Sequence, residues 1–227
     1  DAGCILDKNW IKNMTEPFGT FTLKESRSLP RHLPGVGSDE VDVVAGYYAA
    51  KTSSVFQKCL VPYILVMPDR IDPNIFLPAT RSMAFTKSIW GKIGGFREQL
   101  SHNEDYAFAR KLKEINARIV FEKDAIVYWI PRENIKEAFI MFFRFALGDV
   151  ESGIIRPKVL LIFVRYILGV IFLSFFFILK LYLILNTLYL ILVSYIVWSI
   201  LKNFKYVNHW KAIFILPILQ IASDIAV

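Results

Sequence analysis

Residues 82–115 read SMAFTKSIWGKIGGFREQLSHNEDYAFARKLKEI. Ser82-Met83-Ala84-Phe85 is short, apolar and free of Gly and Pro, which predicts a strand. A helix is expected near Lys87–Lys92, stopped at Gly94-Gly95, because glycine ends helices in the left-handed conformation. A second helix is expected over Glu104–Ile115. Both carboxylates of Glu104-Asp105 fall in its first turn, where the helix dipole favours negative charge. Two further runs, Arg118–Phe121 and Ala125–Trp129, read as strands. Upstream, Val41–Tyr48 (VDVVAGYY) reads as a buried strand and Thr52–Leu65 as a helix. This is α/β order. Too few strands precede the stretch to complete a sheet, so the chain is expected to be the C-terminal fragment of a longer protein. Residues 24–38, with Pro30, Pro34, Gly35 and Gly37, read as an inserted loop.

The composition adds a membrane region. The 227 residues are 55% hydrophobic, and the mean hydropathy of +0.42 is too high for an ordinary soluble domain. From Val159 onward the only charged residues are Arg165, Lys180, Lys202, Lys205, Lys211 and Asp224. Residues 159–179, 182–201 and 212–227 are expected to be transmembrane spans, the first two about long enough for a ~30 Å hydrocarbon core. Arg165 is expected to snorkel to the interface. Lys202, Lys205 and Lys211 lie two spans from Arg156 and Lys158, so the positive-inside rule places both groups, and residues 1–158, in the cytoplasm. Residues 133–149 (ENIKEAFIMFFRFALGD) form an amphipathic helix with Ile135, Phe139, Phe142 and Ala146 on one face. Such a helix suits either the membrane interface or packing against a domain.

The formal net charge of +7 comes without Lys/Arg runs or interleaved aromatics, so no nucleic-acid partner is expected. Cys4 and Cys59 are too few for a disulfide framework and lack zinc spacing; both read as buried thiols. The candidate site residues each carry two readings. Asp1 suits either an Asx turn or a hard divalent cation. Glu104-Asp105 suits either helix capping or a general base whose neighbour tunes its proton affinity. Gly94 and Gly95 end a helix or let backbone approach a ligand. Arg132 and Arg144 anchor to an interface or grip a phosphate bidentately. His102 reads as a surface-loop residue.

The order of these elements resembles glycosyltransferase family 2, specifically its membrane-anchored bacterial and archaeal type. Asp1-Ala2-Gly3-Cys4 resembles a variant of the DxD element, with Asp7 and Trp10 following. Val41–Gly46 resembles the next strand. Gly94-Gly95-Phe96-Arg97 and Glu104-Asp105 match the Gly-Gly-Phe and Glu-Asp pair across a short loop. Trp129–Arg132 and Phe143–Asp149 resemble the segment that enters the membrane. The similarity covers nearly all of residues 1–150.

The resemblance implies a fold class of partial GT-A (Rossmann-like) α/β domain over residues 1–131, an interfacial helix and linker over 132–158, and transmembrane helices over 159–227. It implies an inverting, membrane-anchored transferase that moves a sugar from a nucleotide-sugar donor to a lipid-linked or saccharide acceptor in cell-envelope glycan synthesis. Asp105 would be the catalytic base beside Glu104. Gly94, Gly95, Arg132 and Arg144 would bind substrate, and Asp1 would hold Mg²⁺ or Mn²⁺. Membrane lipids are the remaining partner, and the location is a multi-pass cell-membrane protein with its catalytic domain in the cytoplasm. Three departures stand out: Gly3 replaces the second Asp of DxD, Ala107 replaces an Asp after the acid pair, and Met141–Phe145 keeps only Arg144 of the processive Gln-x-x-Arg-Trp signature. The last argues against a processive synthase, and the missing nucleotide-binding half implies that residues 1–227 alone are inactive. A polyprenyl-phosphate sugar synthase and a non-catalytic membrane scaffold remain the alternatives.

Overall fold

The computed structural model describes residues 4–19, 40–179 and 182–226. Asp1–Gly3, the loop expected at 24–38 and Lys180 lie outside them. The elements are β1 (Cys4–Leu6), α1 (Trp10–Gly19), β2 (Val43–Ala50), α2 (Val55–Ile64), β3 (Met83–Phe85), α3 (Lys87–Ile93) and α4 (Glu104–Glu114). There follow β4 (Ile119–Trp129), α5 (Ile135–Glu151), α6 (Pro157–Leu179), α7 (Tyr182–Val207) and α8 (Ala212–Ile225). They form two compact units, Asp1–Lys51 with Leu65–Ile130, and Thr52–Ile64 with Pro131–Val227.

The first unit is a mixed α/β layer. Its sheet runs β1-β4-β2-β3, with β2 and β4 parallel and an antiparallel strand on each edge. Successive residues of a strand point to opposite faces, and β2 uses both. Val44 packs with Met14, Val41 and Ala125, while Val43 packs with Ile89, Phe108 and Leu112. Helix α1 has no counterpart in the sequence reading. Its polar residues and internal Pro17 mask a short apolar stripe, of which Met14 and Pro17 are buried.

The two strands expected at 118–121 and 125–129 are one strand. Gly46 pairs with Glu122, but the next residue, Tyr47, pairs with Ile126. Residues 123–125 therefore bulge from the ladder, and the charged Glu122-Lys123-Asp124 that looked like a break marks this bulge. Asn13 Nδ2 donates to Asp124 O at 2.7 Å and pins it. Gly46 is required opposite: a Cβ there would lie 2.5 Å from Ala125 O and 2.9 Å from Met14 Cε, and would also strike Ser82 Oγ.

In the second unit, α2 starts with a capping arrangement. Ser54 Oγ accepts from Gln57 N at 3.2 Å, and Gln57 Oε1 accepts from Ser53 N at 2.7 Å. The Gln57 amide then donates to Pro131 O at 2.8 Å. Helix α5 is capped by Asn134, whose Oδ1 accepts from Glu137 N at 3.0 Å. It is apolar on two faces rather than one. Ala138, Met141 and Phe142 are buried, whereas Phe139, Phe143, Leu147 and Val150 form an exposed stripe at helical spacing. Phe142 is thus separated from Ile135 and Phe139, which the sequence reading grouped with it.

Helix α7 supplies, over Asn186–Val207, one stretch long and apolar enough to cross a membrane; the apolar stretches Val159–Phe175 and Ala212–Ile225 are shorter. Leu216, Leu219 and Ala222 are buried, but much of the apolar surface around them is exposed. Leu161, Leu190, Leu201, Phe214 and Ile225 are exposed, while Ser199, Asn203, Gln220 and Asp224 are buried. Arg165 does not snorkel. Its Nη2 pairs with Asp224 Oδ2, and Tyr195 donates to the same oxygen at 2.7 Å. Gln220 Nε2 donates to Asp224 Oδ1 at 2.9 Å. Both oxygens of this buried side chain are thus held.

Candidate active site

In parallel α/β sheets, ligands gather at the carboxyl ends of the strands. Here that edge is formed by Tyr47–Ala50 of β2 and Val127–Trp129 of β4. Helix α4 leads back into the start of β4, so its N-terminus, with Glu104 and Asp105, returns to the same edge. Both carboxylates are half-buried. Asp105 Oδ1 accepts from Tyr106 N at 2.7 Å. Thr80 Oγ1 donates to Asp105 Oδ2 at 3.5 Å, the outer limit of a hydrogen bond.

The helix start is unusual. Asn103 caps α4 in the left-handed conformation, φ 59°, and its side chain makes no cap hydrogen bond. One end of Asp105 therefore serves the first turn while the other faces outward to Thr80. The site's cation is Arg81, which the sequence reading missed. Its guanidinium lies 5.9 Å over the Tyr48 ring and 5.5 Å over the Trp129 ring. Burial raises the proton affinity of the Tyr48 phenol; Arg81 opposes that rise and Asp105 adds to it. Thr80, Arg81, Tyr48 and Trp129 carry no local motif. Only the strand pairing and the turn Thr80–Ser82 bring them to the acid pair.

Gly94 and Gly95 fulfil the structural one of their two readings. Gly94, at φ 81°, ends α3, and its N–H donates to Trp90 O at 3.0 Å. Gly95 is also left-handed, and a Cβ there would lie 2.7 Å from the Trp90 ring. Trp90 in turn stacks on Phe85 at 5.2 Å and meets Phe96 and Phe108 at 5.2 and 5.8 Å. This aromatic cluster fixes α3 against α4 and hence the position of the acid pair. His102 sits in the loop before α4 beside Ser101 Oγ, at 2.8 Å.

Arg132 and Arg144 belong to the second unit, Arg132 just before α5 and Arg144 within it, and both are exposed. Asp1 lies outside the described residues. Among the described residues, no three His, Cys, Asp or Glu side chains gather to hold a metal ion. Comparison with family models, with curated proteins and with solved structures finds no match to this chain.

Proposed function

We propose that this chain carries the catalytic site of a membrane-anchored, inverting glycosyltransferase of the GT-A type. The observation that carries the reading is the position of Asp105. It stands at the carboxyl edge of a parallel strand pair, one oxygen fixed by a backbone N–H and the other turned toward Thr80. A base must meet its proton at a defined angle, and a carboxylate oriented in this way is prepared for that. The acceptor hydroxyl gives its proton to Asp105 as its oxygen attacks the anomeric carbon. The bond from that carbon to the diphosphate oxygen breaks, and the nucleoside diphosphate leaves with the electron pair. Arg81 adds positive charge at this edge.

A divalent cation at Asp1 would supply further charge to the leaving group. The described residues provide no ligand set of their own, so no step is assigned to it. The exposed apolar side chains of α6, α7 and α8 and the long apolar stretch of α7 support membrane anchorage. By that reading α6, α7 and α8 cross or enter the bilayer, and the catalytic unit lies on the side of Lys205 and Lys211, the cytoplasm.

The test uses the protein as it occurs naturally. Asp105→Asn should retain nucleotide-sugar binding and lose turnover by ~10²–10⁴-fold. Undiminished turnover returns the acid pair to capping, whereas a parent protein without turnover favours the non-catalytic scaffold.

A further inference from the structure

Helix α6 is apolar on every side yet is not packed into the second unit. Over Val159–Phe175, where its side chains are described, Leu161, Phe163, Ile167, Leu168, Val170 and Phe175 are exposed. Only Val159, Ile162, Arg165 and Phe172 are half-buried, in a narrow stripe at helical spacing, and no residue of the stretch is fully buried. The base of the helix is anchored. Ile154 N donates to Asp149 O at 2.8 Å, Gly153 turns through the left-handed region at φ 67°, and Arg156 Nε and Nη2 grip both oxygens of Asp149. Beyond that turn, among the described residues, one side chain bonds α6 to the other helices. It is Arg165, about 12 Å along the helix from Pro157 at a rise of ~1.5 Å per residue. Its Nη2 pairs with Asp224 of α8, and its guanidinium lies 5.0 Å over the Tyr195 ring of α7. Ser174 Oγ turns back on Val170 O of α6 itself.

The Arg165 side chain is 38% exposed, and its remaining N–H groups make no hydrogen bond among the described residues. Donors in hydrocarbon need acceptors. Those that a bilayer offers are the oxygens of its surface, phosphates above all, toward which a long cationic side chain extends. Asp224 does not depend on Arg165 alone, because Tyr195 and Gln220 also donate to it. We propose that Arg165 is a latch with two seats. On Asp224 it docks α6 against α7 and α8; on the phosphate of an anionic lipid it lets α6 swing about the turn at Gly153–Arg156. A helix with so little buried apolar surface sits at the low end of local stability, so one ion pair decides its position. Two anions compete for one guanidinium, and anionic lipid shifts the balance toward release. The swing uncovers Tyr195 and Asp224 to the bilayer. The latch presupposes the membrane placement proposed above, not the chemistry of Asp105.

The experiment follows a nitroxide at Ile162→Cys in nanodiscs, in a cysteine-free background of the protein as it occurs naturally. In phosphatidylcholine the label should be restrained. Arg165→Met should free it, with a severalfold shorter rotational correlation time, while the same label at Ile218→Cys on α8 stays unchanged. Phosphatidylglycerol should mobilise the parent's Ile162→Cys label toward the Arg165→Met value and leave the Arg165→Met protein where it was. If Arg165→Met fails to fold, Asp224→Leu with Arg165→Met decides, because it removes the latch without leaving a buried charge. A label as restrained without Arg165 as with it would show that packing holds α6, and would overturn the latch. Equal mobility of the parent in the two lipids would overturn the lipid's part. Failure of the parent to enter nanodiscs overturns the membrane placement instead.

Discussion

Replacing Gly46 by alanine tests the packing that holds the site together. The added Cβ would meet Ser82 Oγ, Ala125 O and Met14 Cε at once, and the carbonyl, at 2.5 Å, belongs to the backbone of β4. Met14 can turn its end away; Ala125 cannot. Ser82 is fully buried, and its hydroxyl donates to Ala125 O at 3.0 Å while accepting from Trp10 Nε1 at 2.9 Å. Displacing it costs two hydrogen bonds of roughly 1 kcal/mol each and strands buried polar atoms at ~1–3 kcal/mol. Overpacking adds ~1–3 kcal/mol. A loss of about 4–8 kcal/mol follows, which lowers the unfolding temperature by roughly 10 °C or more. The assay is thermal unfolding of the detergent-solubilised protein, followed by tryptophan fluorescence. Because the bulge also sets the register in which Tyr47 and Tyr48 pair with β4, any surviving Gly46→Ala protein should show lower turnover. A shift of only 1–2 °C with unchanged activity would refute the close approach of β2, β4 and Ser82.

Three further outcomes are expected. Asp224→Ala strands Arg165 and Tyr195 and should destabilise the bundle by about 3–5 kcal/mol, whereas Asp224→Leu combined with Arg165→Met should recover most of that loss, as thermal unfolding of the two variants would show. In a cysteine-free background, Trp210→Cys should resist a membrane-impermeant thiol reagent in intact cells while Leu181→Cys reacts; the reverse would overturn the cytoplasmic placement. If Arg144 grips a substrate phosphate with its guanidinium fork, Arg144→Lys should raise KM or lower kcat several-fold in native membranes. Free substitution would make it a lipid anchor.

The parts of the fold written in local chemistry were legible in the sequence. Val43–Ala50 is an apolar run with one face on each side of the sheet. Thr86 and Gly94-Gly95 bracket α3, with Thr86 Oγ1 accepting from Ile89 N. Ser54 and Asn134 begin α2 and α5 through hydroxyl and amide caps. What was not legible depends on partners distant in sequence. The charges at Glu122–Asp124 look like a turn until Gly46 is seen opposite them. Arg165 reads as an interface residue until Asp224, 59 positions away, arrives beside it. Arg81 belongs to no motif, and its place over Tyr48 and Trp129 follows from the register of three strands. The acid pair was visible as residues, but its setting was not.

That setting changes the relation between the two readings of Glu104-Asp105. Capping and catalysis appear as alternatives in the sequence because each accounts for a carboxylate at a helix start. In the folded first unit the two roles would fall to different oxygens of Asp105. Oδ1 accepts from Tyr106 N at 2.7 Å and serves the helix; among the described residues, Oδ2 has the 3.5 Å approach of Thr80. Under the proposed mechanism the backbone bond would position the base, since a carboxylate tethered at one oxygen presents the other at a fixed angle. Asn103 makes this division possible: its side chain leaves the cap unfilled, so the first turn draws on Asp105 instead. Asparagine at 105 keeps an Oδ1 acceptor for Tyr106 N and loses the second carboxylate oxygen. Stability and turnover should therefore separate in Asp105→Asn, the first nearly unchanged and the second largely lost. Were Asp105 only a cap, neither would move.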